Sequence, residues 1–174
     1  TSQLREAVKI WCENEKTGLI KYGHIELWNT TLIEDMSDLF FNCINFNKNL
    51  NNWDTGNVVN MENMFWNTEK FNQPLNRWNV SKVTNMSGMF KFAKDFNQPL
   101  SKWDTYNVKY MNHMFYGAKK FNHTINNWKV CNVIRMDYMF CNAHNFNKRL
   151  DKWNIKNVIN MNYMFCKASN FDQN

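Results

Sequence analysis

Tryptophan stands at Trp28, Trp53, Trp78, Trp103, Trp128 and Trp153, a spacing of 25 residues that never varies. A fixed period of this size marks a repeat array, in which each unit is too short to close a core alone and must bury its apolar side against its neighbours. The other landmarks keep the same period. After each Trp come Ile33, Val58, Val83, Val108, Val133 and Val158, then Met36, Met61, Met86, Met111, Met136 and Met161. Leu39, Met64, Met89, Met114, Met139 and Met164 follow, each directly before a Phe, from Phe40 to Phe165. A small residue comes next (Cys43, Thr68, Ala93, Ala118, Ala143, Ala168), and a second Phe column, Phe46 to Phe171, closes the unit. The consensus is W-[DN]-x-x-x-V-x-x-M-x-x-M-F-x-x-A-x-x-F-N-x-x-L-x-x, copied six times without an insertion.

Within a unit, Val, Met, Met-Phe and Ala follow the 3.6-residue period and predict a short helix with one apolar face. Asp35, Asn60, Asn85 and Asn160 stand just before the Met, where a side-chain oxygen would cap the first turn. The stretch from Leu50 to Thr55, with its copies, carries Trp and a β-branched residue in alternation and reads as a short strand. The expected fold is therefore α/β: a right-handed, leucine-rich-repeat-like solenoid of six rungs, each with a short parallel strand and a short helix. Its handedness follows from the preference of parallel crossovers. Asn47, Asn72, Asn97, Asn122 and Asn147 predict an asparagine ladder that satisfies backbone groups at a tight turn. Residues 1–21 predict a helical N-terminal cap, with Ser2 at its start, Leu4, Ala7, Val8 and Trp11 on one face, and a break near Gly18 and Gly23. Residues 22–174 form the array, whose sequence stops as a seventh unit begins and so reads as open or truncated at the C-terminus.

Phrases such as FNQPLNRWNVSKVTNMSGMF, residues 71–90, resemble the 25-residue repeat of the BspA-like leucine-rich-repeat surface proteins, the type also named for mycoplasma lipoproteins. The resemblance covers about residues 22–174 and extends to the leader segment LREAVKIWCEN. It implies a leucine-rich-repeat-like solenoid with a role in binding or adhesion, and it carries no catalytic residue, because the shared motif consists of core positions. Heavy Asn and Lys usage fits an AT-rich genome, such as a giant virus, and the family occurs in bacteria, protists and giant viruses.

The chain is 44% hydrophobic and 21% charged, the balance of a folded rather than a disordered protein. No stretch approaches the roughly 18 consecutive apolar residues of a membrane helix, so no membrane insertion is expected. The N-terminus, TSQLREAV, lacks both an apolar signal segment and an initiator methionine, which reads as a chain trimmed at its start. His24, His113, His123 and His144 fall in different columns with no recurring nucleophile or carboxylate beside them, so they read as solvated surface groups. No Gly-rich phosphate loop, H-E-x-x-H or C-x-x-C is present, and no catalytic residue, cofactor or metal is expected. Cys12, Cys43, Cys131, Cys141 and Cys166 are odd in number and scattered. They read as reduced thiols, with Cys43 in the core and Cys141 beside Cys166 on consecutive rungs; a bridge between those two is the alternative. Reduced thiols favour an intracellular compartment, whereas the family resemblance allows the cell surface. The N-x-[ST] triplets at Asn29, Asn79, Asn85 and Asn122 are what so Asn-rich a chain produces by chance.

A formal charge of +6 raises the question of nucleic acid, yet no block of like charges appears and acids alternate with lysines, so nucleic acid is not the expected partner. Function is expected in the outward columns that differ between copies. On the Trp segment these give Asp54, Arg77, Lys102, Asp104, Tyr106, Lys129 and Lys152 as candidate partner-binding residues, with Arg77 and Tyr106 foremost because those residue types dominate interface energetics. The expected function is a non-enzymatic repeat scaffold for protein–protein interaction, with adhesion to host-surface or extracellular-matrix material as the alternative.

Overall fold

The computed structural model describes residues 1–173. Two helices come first, α1 (Ser2–Glu13) and α2 (Glu15–Tyr22), followed by one 3-10 turn, Ile25–Leu27. α1 starts after Thr1 rather than on a capping Ser2, and it buries Ala7, Val8 and Trp11, three of the four residues expected on its inner face. The chain breaks between the helices at Asn14, whose side chain accepts from the Thr17 backbone N–H at 3.0 Å and so caps α2. Gly18, the expected break, lies buried inside α2 against Trp11; any side chain there would meet the indole within 3 Å.

Beyond Tyr22 the expectation of a strand and a helix in each repeat is overturned. Among the described residues no sheet forms, and no α-helix follows α2. The array is instead a stack of irregular coils in strict 25-residue register, joined by isolated parallel bridges from Asp35 to Asn60, Asn60 to Asn85, Asn85 to Tyr110, Tyr110 to Arg135 and Arg135 to Asn160. The column read as helix caps is thus the bridge column. The segment read as a strand is a turn, in which the Trp53 N–H returns to the Leu50 carbonyl at 3.0 Å.

The segment read as a helix is a run of tight turns. Leu39 N–H closes on the Met36 carbonyl and Cys43 N–H on the Phe40 carbonyl, with Asp38 at φ 54° and Asn42 at φ 60° in the third positions. A positive φ at that position is the signature of a type II turn and forbids a continuous helix. Backbone N–H groups at alternate residues leave the coil along the stack instead of pointing back within it. Met36, Asp38, Phe40 and Asn42 donate to the carbonyls of Asn60, Glu62, Met64 and Trp66, at 2.8 to 2.9 Å. The next coil repeats the pattern from Met61, Asn63, Phe65 and Asn67.

Side chains complete what the backbone leaves open. From Trp53 to Trp153 the indole N–H of each repeat Trp donates to a carbonyl 28 residues earlier, as in Trp78 to Leu50 at 2.9 Å and Trp103 to Leu75 at 3.0 Å, whereas Trp28, in the first coil, donates to the Tyr22 carbonyl. The asparagine ladder forms: Asn47, Asn72, Asn97 and Asn122 each accept from the backbone N–H 25 residues on, at 2.9 to 3.0 Å. Between these ladders run continuous apolar columns. Phe65, Phe90, Phe115 and Phe140 stack with centroids 5.6 Å apart, and Val83, Met86, Met89, Phe90 and Phe96 are wholly buried, with Trp78 nearly so.

The helices lie against the first coil. Trp11 meets Trp28 edge to face, Trp28 stacks on Trp53, and Arg5 reaches Asp35 at 3.1 Å and the Ser37 carbonyl. A disulfide, Cys12–Cys43, with Cα atoms 5.4 Å apart, locks α1 to that coil. This corrects the reading of Cys12 and Cys43 as reduced thiols. Cys43 occupies the small-residue column, but α1 approaches it from outside, a neighbour that no other copy in the column has. Cys131, Cys141 and Cys166 are free.

Candidate functional site

Two edges of the stack carry the residues that differ between copies. The Trp edge, around residues 51–57 of one coil and their copies, holds all the residues singled out from sequence, and Asp54, Arg77, Lys102, Asp104, Tyr106, Lys129 and Lys152 are all exposed. The structure brings three of them together: Lys129 pairs with Asp104 at 3.4 Å and its ammonium lies 5.9 Å from the Tyr106 ring centroid. Tyr106 keeps half its surface open. The Arg77 guanidinium donates to Asn52 on the preceding coil at 3.0 Å, and the Asp54 carboxylate accepts from the Gly56 N–H at 2.9 Å. Lys102 and Lys152 extend their side chains to solvent.

The double-turn edge, around residues 60–68 and their copies, gathers a second set that the helix reading scattered. Phe41 and Trp66 meet edge to face at 5.1 Å, as do Phe92 and Tyr116. Lys91 extends over the Trp66 ring at 4.0 Å, with the Tyr116 and Phe92 rings at 5.4 and 5.8 Å. Burial pushes the Lys91 ammonium pKa down. Farther along, His113 stacks on Tyr138 at 4.9 Å and Tyr138 on Tyr163 at 5.0 Å. His113, expected as a solvated group, is half-buried; burial, then the charge of Lys91, holds its pKa below the usual histidine range. The sequence signal for this edge lay in the left-handed positions. Asn63, Asn67, Gly88, Gly117 and Asn142 suit a positive φ, and Phe92, His113, Tyr138 and Tyr163 occupy the same columns at φ 56° to 59°.

Other features are explained by the stack. A cavity of about 730 Å³ is lined by Leu150, Trp153, Met161, Met164, Phe165 and Phe171, the same columns that a following coil covers elsewhere, so it is the outer face of the last described coil. Cys141 is buried beside the half-exposed Cys166 in one column, and burial, then Cys166, pushes its thiol pKa up. His24 lies 3.6 Å from Glu26, and the His123 ring contacts the Asn97 carbonyl at 3.1 Å. Asn85, in one of the N-x-[ST] triplets, sits in the bridge column and accepts from the Ser87 N–H. Among the described residues no group of three His, Cys, Asp or Glu side chains is placed to hold a metal ion, and no helix is long and apolar enough to cross a membrane.

A family model described as "Mycoplasma protein of unknown function, DUF285" matches residues 13–123 and again residues 98–174. No match was found among curated proteins or among solved structures.

Proposed function

We propose, for a chain that belongs to the DUF285 family of Mycoplasma proteins of unknown function, a non-enzymatic repeat scaffold that binds a protein partner through its outward, copy-specific columns. One observation carries this reading: in the inner coils the apolar side chains shared by all copies are buried in holding coil to coil, and the exposed positions of the Trp edge change from copy to copy. A rigid stack with a constant interior and a variable exterior suits recognition, because new contacts can be set at the surface without repacking the core. The Trp edge, with Arg77 and the Asp104–Tyr106–Lys129 cluster, is one proposed binding surface. The test is to reverse charge at Arg77 and Lys102, truncate Tyr106 to Ala, and repeat affinity isolation from source cells. Loss of specific partners at an unchanged melting temperature supports this surface; an identical set of captured proteins rejects it.

Adhesion at a cell surface is the second reading, and the Cys12–Cys43 disulfide is the observation that favours it. Such bonds persist in oxidising compartments, and the likeness to BspA-like surface proteins points the same way. Binding to immobilised matrix proteins, lost on mutation of either edge, would support it.

A further inference from the structure

The cluster on the double-turn edge has a cation with no counter-ion. Lys94 pairs with Glu69, Lys70 and Lys120 with Asp95, and Arg135 with Asp137. Lys91, set among Trp66, Phe92 and Tyr116 and half-buried, has no carboxylate within ion-pair distance among the described residues. A partly desolvated ammonium is stabilised by ring faces, yet it also offers an incoming anion a stronger interaction than a fully hydrated lysine would.

The surroundings are shaped at some cost in backbone strain. Phe92 sits at φ 57°, a left-handed conformation that an aromatic residue rarely adopts. Gly117, on the next coil, leaves vacant the space where a side chain would strike the Phe92 ring.

We propose that the Trp66–Lys91–Phe92–Tyr116 cluster is the docking point for an acidic, extended segment of a protein partner. The inference rests on the binding-module reading and names the chemistry of its partner. A carboxylate of the segment takes the counter-ion position at Lys91, and its neighbouring aromatic or apolar side chains lie along the half-buried rings of Trp66, Phe92 and Tyr116. Nucleic acid suits the edge less well: Lys91 is a single cation without a carboxylate partner among the described residues, and binding to a phosphate backbone depends on several cations acting together.

The experiment measures fluorescence anisotropy of a labelled alternating Glu-Tyr peptide, with an alternating Lys-Tyr peptide and oligothymidylate as comparisons. The Glu-Tyr peptide should bind and the Lys-Tyr peptide should not. Lys91→Met should weaken binding by about tenfold or more, the scale of one lost hydrogen bond to a charged group. Lys91→Arg should retain most of the affinity, and Lys16→Met, at an exposed position of α2 away from both edges, should change nothing. Three results would overturn the proposal: no Glu-Tyr binding, equal binding by Lys91→Met, or displacement of the peptide by oligothymidylate. If peptide binding is lost instead in the Arg77, Lys102 and Tyr106 variant, the docking point is wrong and the binding-module reading stands. That reading fails separately, when neither edge affects capture of a cellular partner.

Discussion

Phe90 touches Phe65 and Phe115 in neighbouring coils at 5.6 Å and Phe96 within its own at 4.1 Å, all stacked and all fully buried. Phe90→Ala should therefore cost on the order of 3–5 kcal/mol, whereas Lys102→Ala should cost less than about 0.5 kcal/mol. Urea titration checks the pair, and coincident midpoints would refute the column assignment. Trp78 adds a polar duty to its packing, since its indole N–H is bonded to the Leu50 carbonyl inside the core. Trp78→Phe should lose about 0.5–1.5 kcal/mol, the net worth of one buried hydrogen bond, because the Leu50 carbonyl keeps its bond from the Trp53 N–H. Burial of these residues was legible in the sequence, as apolar identity at a fixed period demands it whatever the backbone does. The hydrogen bond was not, because it links one copy to another through a side chain and leaves no mark in local spacing. Lys91 was hidden for the same reason: its partners Trp66 and Tyr116 are 25 residues away on either side, aligned only once the coils stack.

At the scale of the element, the Met-x-x-Met-Phe-x-x-Ala spacing was read as a helix and is a chain of turns. Three- and four-residue turns in succession reproduce the same spacing of inward side chains, so periodicity alone does not separate the two. The discriminating residues were Asn63, Asn67, Gly88, Gly117 and Asn142, whose types tolerate the left-handed conformation that a helix excludes. Gly117→Ala tests this directly. At φ 67° and against the Phe92 ring, it should destabilise by more than about 1 kcal/mol, where the same change in a true helix would stabilise. A raised melting temperature would reject the turn assignment. The helical pair was better legible, since α1 shows a plain amphipathic face, but its tether was not: a lone cysteine in each of two unlike segments gives no pairing signal. Reducing Cys12–Cys43, which spans 31 residues, should lower stability by on the order of 3–4 kcal/mol in the chain-entropy account. Thermal melts check this: adding reductant and substituting Cys12→Ser should lower the melting temperature by the same amount. Between coils, Lys120 holds the Asp95 carboxyl below the ordinary carboxylate range by hydrogen bond and charge, with Lys70 adding to it. A lowered folded-state pKa contributes stability that is present above the ordinary value and lost as pH falls through the folded one. The stability gap between the protein and Asp95→Asn should thus be constant at neutral pH and close as the pH drops through and below the carboxylate range; a gap independent of pH would show the ion pairs to be inert.

Over the whole molecule, each coil touches only its neighbours and the junctions are nearly interchangeable. The Phe90–Phe115 and Phe115–Phe140 stacks have the same 5.6 Å spacing, and the bridge column continues from Asp35 to Asn160 with every step 25 residues long. Stability should then be close to a sum of unit and interface contributions, with no coil indispensable. Excising residues 81–105 joins Val80 to Tyr106, keeps every column in phase and lays Phe65 against Phe115. That shortened chain should fold with the same far-ultraviolet circular dichroism per residue and a lower denaturation midpoint. Removing residues 81–104 instead, one residue fewer, throws every later column out of phase. It would direct apolar side chains to solvent, leave the Trp indoles without their carbonyls, and bring left-handed positions onto residues unsuited to them. The second deletion should therefore fail to fold although it retains more of the protein. Should both fold equally well, register would not be what holds the coils together; should neither fold, the coils would not be independent neighbours but parts of one indivisible core.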